Sequence, residues 1–224
     1  KKALRALTKD KVSYLYNHRM KVLTSYFIFA LLSVSLSAEL IDQQIANEAE
    51  IKYDRFAKNR FMSIKEDLLN GLRDDSDIRK LNVVNTWMNE IRYKSDKQVY
   101  GVSDYWATLY EFVGKNKGDC EDYTIAKYYV LKELGVDPNR MKFTYVIYQD
   151  RRGKNISHMV LAYFSVPNPT SKDEILILGN NNRLVLPASK RPDIVKVVKM
   201  INGDTGAKSK KWKILEEDMK RKKL

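Results

Sequence analysis

At Gly135 the chain changes its period, and that one change limits the folds open to it. Residues 121–134 are dense in helix formers, and Ala126, Val130 and Leu134 recur every four residues along one side. Gly135 is the residue type that carries a chain out of a helix through the left-handed region. Beyond it, residues 143–148 are β-branched and aromatic, residues 150–155 have turn composition, and residues 157–166 read as the returning strand of a hairpin. Pro167-Asn168-Pro169 breaks that strand. Residues 175–178 give another, Gly179-Asn180-Asn181-Asn182 a tight loop, and Leu184-Val185-Leu186 a short further strand.

Upstream of the switch the pattern is helical. Residues 40–56 and 61–72 carry apolar side chains at three- and four-residue steps. Asp74-Asp75-Ser76-Asp77 supplies N-cap chemistry for a helix over 78–93, whose Leu81, Val84, Trp87, Met88 and Ile91 form a core-facing stripe. Residues 94–103 read as a polar loop, and Tyr105-Trp106 as the start of a short helical approach to Gly118. The end, residues 212–224, reads as a charged helix. Helices followed by antiparallel strands make the class α+β. At 224 residues there is room for one well-packed domain and too little left for a second of ordinary size.

The net charge of +13 suggests nucleic acid until its distribution is examined. Residues 1–38 hold seven Lys/Arg and one Asp, so about half the surplus lies there. The remaining basic residues are interleaved with Asp and Glu, except in the tail Lys220-Arg221-Lys222-Lys223, and no nucleic-acid partner is expected. Residues 20–37 read as a secretory signal peptide. Lys21 precedes an apolar run from Val22 to Leu32, and Ser35-Leu36-Ser37 places small residues for cleavage before Ala38. The run is shorter than the roughly 20 residues that span a bilayer, so cleavage is favoured over an uncleaved anchor. The expected organisation is an upstream leader at 1–19, the signal at 20–37 and one domain at 38–224, with no stable membrane insertion once the signal is gone.

Cys120 is the only cysteine. Export would place it in an oxidising compartment with no internal partner for a disulfide, where a lone thiol is a hazard unless it has a role. It sits at the start of the 121–134 helix, where unpaired N–H groups and the positive dipole end favour a thiolate. Asp119, Glu121 and Asp122 oppose that by adding negative charge. Their oxygens, clustered within four residues, suit a hard cation such as calcium; an acidic first turn complementing the helix dipole is the alternative. The second requirement of thiol chemistry is a base. The chain has two histidines, His18 and His158, and only His158 lies in the domain. A nucleophile on a helix followed by a histidine on a strand is the order used by papain-like enzymes, which need a third polar group to orient the imidazole.

Five blocks carry a family likeness: Tyr105-Trp106-Ala107-Thr108, Gly118-Asp119-Cys120-Glu121-Asp122-Tyr123, Ile125-Ala126-Lys127-Tyr128, His158-Met159-Val160-Leu161 and Leu186-Pro187-Ala188-Ser189. In content and order they resemble the bacterial transglutaminase-like cysteine proteinases, over roughly residues 50–215. The resemblance implies a papain/transglutaminase-like fold, with the nucleophile opening a central helix packed on an antiparallel sheet. It implies Cys120 as nucleophile, His158 as base, a calcium ion (Ca2+) held by Asp119, Glu121 and Asp122, and Trp106 assisting at the oxyanion. It further implies a periplasmic endopeptidase whose substrate is a large outer-membrane adhesin, cleaved near its N-terminus to control biofilm attachment. The implied inhibitor is an inner-membrane receptor for cyclic diguanylate. One position departs from the family pattern. Where members read Leu-Asp-Asn after the histidine strand, this chain reads Leu178-Gly179-Asn180, so the orienting carboxylate is missing. Asn180 is the candidate to replace it, with Asn181 the alternative. A weakened or inactive relative acting as a binding module, and an acyl transferase or amidase on cell-wall peptides, remain open beside the protease.

Overall fold

A computed structural model describes residues 39–202 and 209–224, and residues 40–224 gather into one compact unit. The leader, signal and cleavage expectations fall outside the described residues. Seven α-helices and seven strands occur among the described residues. In chain order they are α1 (Gln43–Lys52), α2 (Arg55–Ser63), α3 (Asp77–Met88), β1 (Arg92–Tyr93), α4 (Asp96–Val99), α5 (Leu109–Lys115), β2 (Lys117–Gly118) and α6 (Cys120–Glu133). The sheet strands and last helix follow: β3 (Met141–Gln149), β4 (Asn155–Phe164), β5 (Ile175–Gly179), β6 (Asn182–Pro187), β7 (Ile194–Asn202) and α7 (Lys210–Lys220).

The helix predicted over 40–56 divides in two. Asp54 takes extended geometry and its carboxylate accepts the Ala57 N–H at 2.7 Å, which starts a new helix there. After α2 the chain continues as a π-helical segment, Ile64–Asn70, which keeps Ile64, Leu68 and Leu69 in the core. The helix predicted to reach residue 93 stops at Met88. Arg92 and Tyr93 instead pair in parallel with Lys117 and Gly118, and the Lys94 N–H reaches the Gly118 carbonyl at 2.9 Å. The helical start expected at Tyr105-Trp106 is an irregular loop. Helix α5 begins only where Thr108 and Glu111 cap each other, and Asn116 ends it in left-handed geometry at φ 52°.

Helix α6 is the centre of the molecule. Ala126, Val130 and Leu134 are buried as their spacing predicts, and Tyr123, Ile125, Lys127 and Tyr128 are buried as well, so the helix is enclosed on most sides. Gly135, at φ 82°, ends it: the Gly135 N–H bonds to the Lys132 carbonyl and the Val136 N–H to that of Leu131, a Schellman pair.

The five-stranded antiparallel sheet has the order β6-β5-β4-β3-β7. Strand β7 has no counterpart in the sequence reading. It lies at an edge, and its Val195, Val197, Val198 and Met200 are exposed, so no buried-face alternation marks it. On β4, Met159, Leu161 and Tyr163 join the core shared with α6. Period-2 alternation turns His158, Val160 and Ala162 to the other face, where Val146 and Ile177 complete a second small cluster. Strands β6 and β7 occupy opposite edges, so the chain between them crosses this second face, and Ala188 and Ile194 pack onto it.

Candidate active site

Three short-range devices fix the start of α6. The β1–β2 pair seats Gly118, the carboxylates of Asp119 and Asp122 form a capping box, and Thr124 Oγ1 donates to the Cys120 carbonyl at 2.8 Å. Thr124 Oγ1 also lies 3.4 Å from the Met159 carbonyl, tying the first helical turn to β4. Cys120 thus occupies the first position of a helix docked on the strand that carries His158.

The thiol donates to Glu121 Oε2 at 2.8 Å. Burial pushes the Cys120 thiol up, and the Glu121 charge and hydrogen bond push it further, against a hydrogen bond from the Met159 backbone that favours the thiolate. His158 is held down to about 4, first by burial and then by the Arg191 guanidinium, with Glu121 and Asp193 pulling the other way. Its ring lies 5.7 Å from that of Tyr148, and its buried Nε2 has no hydrogen-bond partner among the described residues. A neutral imidazole with a free ring nitrogen is competent to accept a proton.

Trp106 meets Trp212 edge-on at 6.2 Å and carries the Lys211 ammonium 5.1 Å above its ring. Its loop is clipped to α6, because the next residue, Ala107, donates its N–H to Asp122 Oδ1 at 2.8 Å. Asp122 is fully buried and accepts a second bond from the Asp119 N–H at 3.2 Å.

The acidic residues separate into two overlapping groups. Asp119, Cys120 and Glu121 place ligand atoms within 4.8 Å of one another, and so do Asp96, Asp119 and Asp122. Asp96 was not visible in the sequence as a member. It lies 23 positions before Asp119 in what reads as a polar loop, and only the β1–β2 pairing brings it alongside. Burial and mutual repulsion push all three carboxyls of the second group up, Asp122 to about 8. Asp96 Oδ2 accepts the Tyr105 N–H at 2.6 Å, whereas Asp96 Oδ1 and Asp119 Oδ1 are buried without partners among the described residues. Buried, unpaired, hard oxygens crowded by like charge are the donor set a calcium ion requires.

At the departure position, Gly179 has only hydrogen where a carboxylate was sought. Asn180 Oδ1 is buried with no hydrogen-bond partner among the described residues, and Asn181 Oδ1 accepts from Arg191 Nη2 at 3.2 Å. The turn is anchored from behind: Asn89 Nδ2 donates to the Gly179 and Asn182 carbonyls at 3.0 Å each, and the fully buried Lys127 donates to Asn89 Oδ1 at 2.8 Å.

Known structures share this arrangement of chain. LapG of Legionella pneumophila superposes with a TM-score of 0.63 at 32% identity, covering 80% of this chain and 96% of its own. Its EGTA-treated form gives 0.64 at 30% identity over 79% and 96%, and its calcium-bound form 0.62 at 30% over 79% and 97%. No curated protein sequence matches significantly. The profile of the bacterial transglutaminase-like cysteine proteinases matches residues 51–218, a span that holds Cys120, His158, the acidic groups and the sheet around them. With that match and those neighbours, the helix-borne thiol and strand-borne imidazole place this chain in the family of bacterial transglutaminase-like cysteine proteinases.

Proposed function

We propose that this cysteine proteinase is a calcium-dependent endopeptidase of the periplasm that cleaves a large outer-membrane adhesin near its N-terminus and so releases it. The observation that supports this most is the seating of Cys120. The nucleophile opens a buried helix, receives a hydrogen bond from Met159 beside the only histidine of the domain, and adjoins an acidic cluster with two orphaned oxygens. LapG of Legionella pneumophila has been seen in a calcium-bound and an EGTA-treated form, which fits a metal role at the same end of the helix. Among the described residues no helix is long and apolar enough to cross a membrane.

The chemistry is acyl transfer to water. His158 takes the thiol proton, the Cys120 sulfur adds to the scissile carbonyl, and the imidazolium returns the proton to the leaving amine. Water then hydrolyses the thioester with His158 again as base. The Cys120 backbone N–H at the helix start would meet the developing oxyanion, with Trp106, on the loop clipped to α6 through Ala107, assisting. Asp96, Asp119, Asp122 and Glu121 would hold calcium, which supplies the positive charge that offsets this cluster. Glu121, once engaged there, no longer competes for the thiol proton. An inner-membrane cyclic-diguanylate receptor is the proposed inhibitor.

The test is cleavage of an N-terminal fragment of the host's adhesin by wild type and Cys120→Ala, each with calcium or with EGTA. Cleavage is expected only for wild type with calcium. Full cleavage by Cys120→Ala removes the nucleophile, and cleavage indifferent to EGTA removes the metal. One observation favours a second reading, a weakened relative that binds without cutting: residue 179 offers His158 no carboxylate.

A further inference from the structure

The glycine at 179 does not leave an empty site. Gly179 lies at the end of β5 on the same face as Val160, two residues along β4 from His158. A Cβ added to it would meet Asn181 Oδ1 at 2.8 Å, Val160 Cγ1 at 3.3 Å and Arg191 Nη1 at 3.9 Å. The space in which a side chain at 179 would start is therefore taken by the amide oxygen of Asn181. That oxygen is held by Arg191 Nη2, and Arg191 is itself gripped by Asp193, Nε to Oδ1 at 2.9 Å and Nη2 to Oδ2 at 2.7 Å. The Arg191 side chain is 1% exposed and Asp193 is part-buried. Both residues belong to the crossover laid over this face. Three elements thus converge on one point: the β5–β6 turn, the crossover and the Asn89–Lys127 anchor behind the turn.

We propose that Asn181, held by the Arg191–Asp193 pair, is the positioning residue of His158, its amide oxygen doing from the turn what a carboxylate at 179 would do from the strand. An amide oxygen keeps a second lone pair after accepting from Arg191 and can take the imidazole N–H, as the asparagine of papain-like enzymes does. A larger residue at 179 would displace the Asn181 amide oxygen from this place. Asn180, half-buried on the same turn with its Oδ1 unpartnered among the described residues, makes no bond to the Arg191–Asp193 pair.

This inference rests on the cysteine-proteinase reading, and the experiment separates the two. Steady-state cleavage of an adhesin-derived peptide with calcium is measured for wild type, Asn181→Ala, Asn180→Ala, Arg191→Gln and the double variant Gly179→Asp/Asn181→Ala. Asn181→Ala is expected to lower kcat about 10–100-fold with KM little changed, the loss associated with a misdirected general base. Arg191→Gln loses less, Asn180→Ala stays within about twofold of wild type, and the double variant recovers most of the activity. Asn181→Ala remaining within about twofold of wild type, or a double variant no better than Asn181→Ala, overturns the assignment. The second readout needs no turnover: the His158 imidazole is titrated by NMR in the Cys120→Ala background. Asn181→Ala should change its tautomer signature, and Gly179→Asp should raise its pKa by about 1 unit or more, as a nearby carboxylate does. If wild type cleaves nothing yet these shifts appear, the proteinase reading fails and the positioning role stands. If the imidazole is indifferent to both changes, the positioning role fails.

Discussion

Glu121→Gln should make Cys120 more reactive and the enzyme less active. The thiol hydrogen bonds to a carboxylate oxygen 2.8 Å away in a part-buried site, and that carboxylate raises the thiol through both its charge and the bond. A hydrogen bond to a charged group is worth about 1.5–3 kcal/mol, and one pKa unit is about 1.4 kcal/mol, so removing the charge should lower the thiol by about 1–2 units. Below its pKa that is about 10–100 times more thiolate, but a less basic sulfur is a weaker nucleophile, with a Brønsted slope of about 0.4–0.5. The net gain in alkylation rate is therefore about 3–10-fold. The assay is iodoacetamide modification of calcium-free protein at pH 7.5, followed by mass spectrometry, with the urea-unfolded proteins as the reference. Adhesin cleavage in calcium should fall for the same variant, because Glu121 also belongs to the acidic group around Asp119. An alkylation rate equal to or below that of wild type would refute the reasoning that Glu121 holds the thiol protonated.

Melting of the calcium-free protein should depend on pH, with stability falling from about pH 4 toward pH 8, because the three raised carboxyls outweigh the one lowered histidine. The raised Asp96, Asp119 and Asp122 carboxyls contribute stability fully below about 4, and that contribution fades as pH rises toward about 8, the value for Asp122. His158, held down to about 4, contributes fully above about 6.5 and loses that contribution as pH falls through 4. Calcium should raise the melting temperature more at pH 8 than at pH 6, because it binds the deprotonated cluster; an increment flat with pH would contradict the assignment. Asn89→Ala strips the buried Lys127 of its acceptor, the Gly179 carbonyl of its amide donor and the Asn182 carbonyl of one of two, and should cost about 3 kcal/mol in urea unfolding. Adding Lys127→Met to that variant should recover part of the loss; strict additivity would show that the two do not interact. Gly118→Ala would drive a methyl to 2.5 Å from Asp122 Oδ2 and 2.6 Å from Phe112, and should weaken calcium binding measured by calorimetry; unchanged binding would separate Asp122 from the metal group.

What the sequence disclosed depended on how local the cause was. Gly135 and the four-residue stripe before it announced α6, because a helix and its left-handed exit are written in adjacent residues. The hairpin of β3 and β4 was legible for the same reason. Strand β7 was not, because an edge strand exposed on both faces carries no burial period. Asp54 could be read either as a polar helix residue or as a cap, and only the carboxylate bonded to the Ala57 N–H separates the two. At the site, Cys120 and His158 stood out by being solitary in their kind within the domain. Asp96, Arg191 and Asp193 did not, since common charged residues acquire meaning only through the β1–β2 pairing and the crossover that bring them in. The absence at Gly179 was visible, and so were Asn180 and Asn181 as candidates to replace it, but that the Asn181 oxygen fills the space beside Gly179 required the third dimension.

Strand β7 also bears on how the protein behaves in bulk. Only β3 pairs with it among the described residues, so its outer row of N–H and C=O groups faces solvent beside four exposed apolar side chains. Such a row is a template for a strand from another molecule. Lys196 and Lys199 interrupt the apolar run, and two copies aligned edge to edge would bring these ammonium groups together. That repulsion is screened by salt, with a Debye length of about 10 Å at 0.1 M and about 3 Å at 1 M. Concentrated preparations should therefore stay dispersed in dilute buffer and associate as ionic strength rises, which makes low salt the condition for storage.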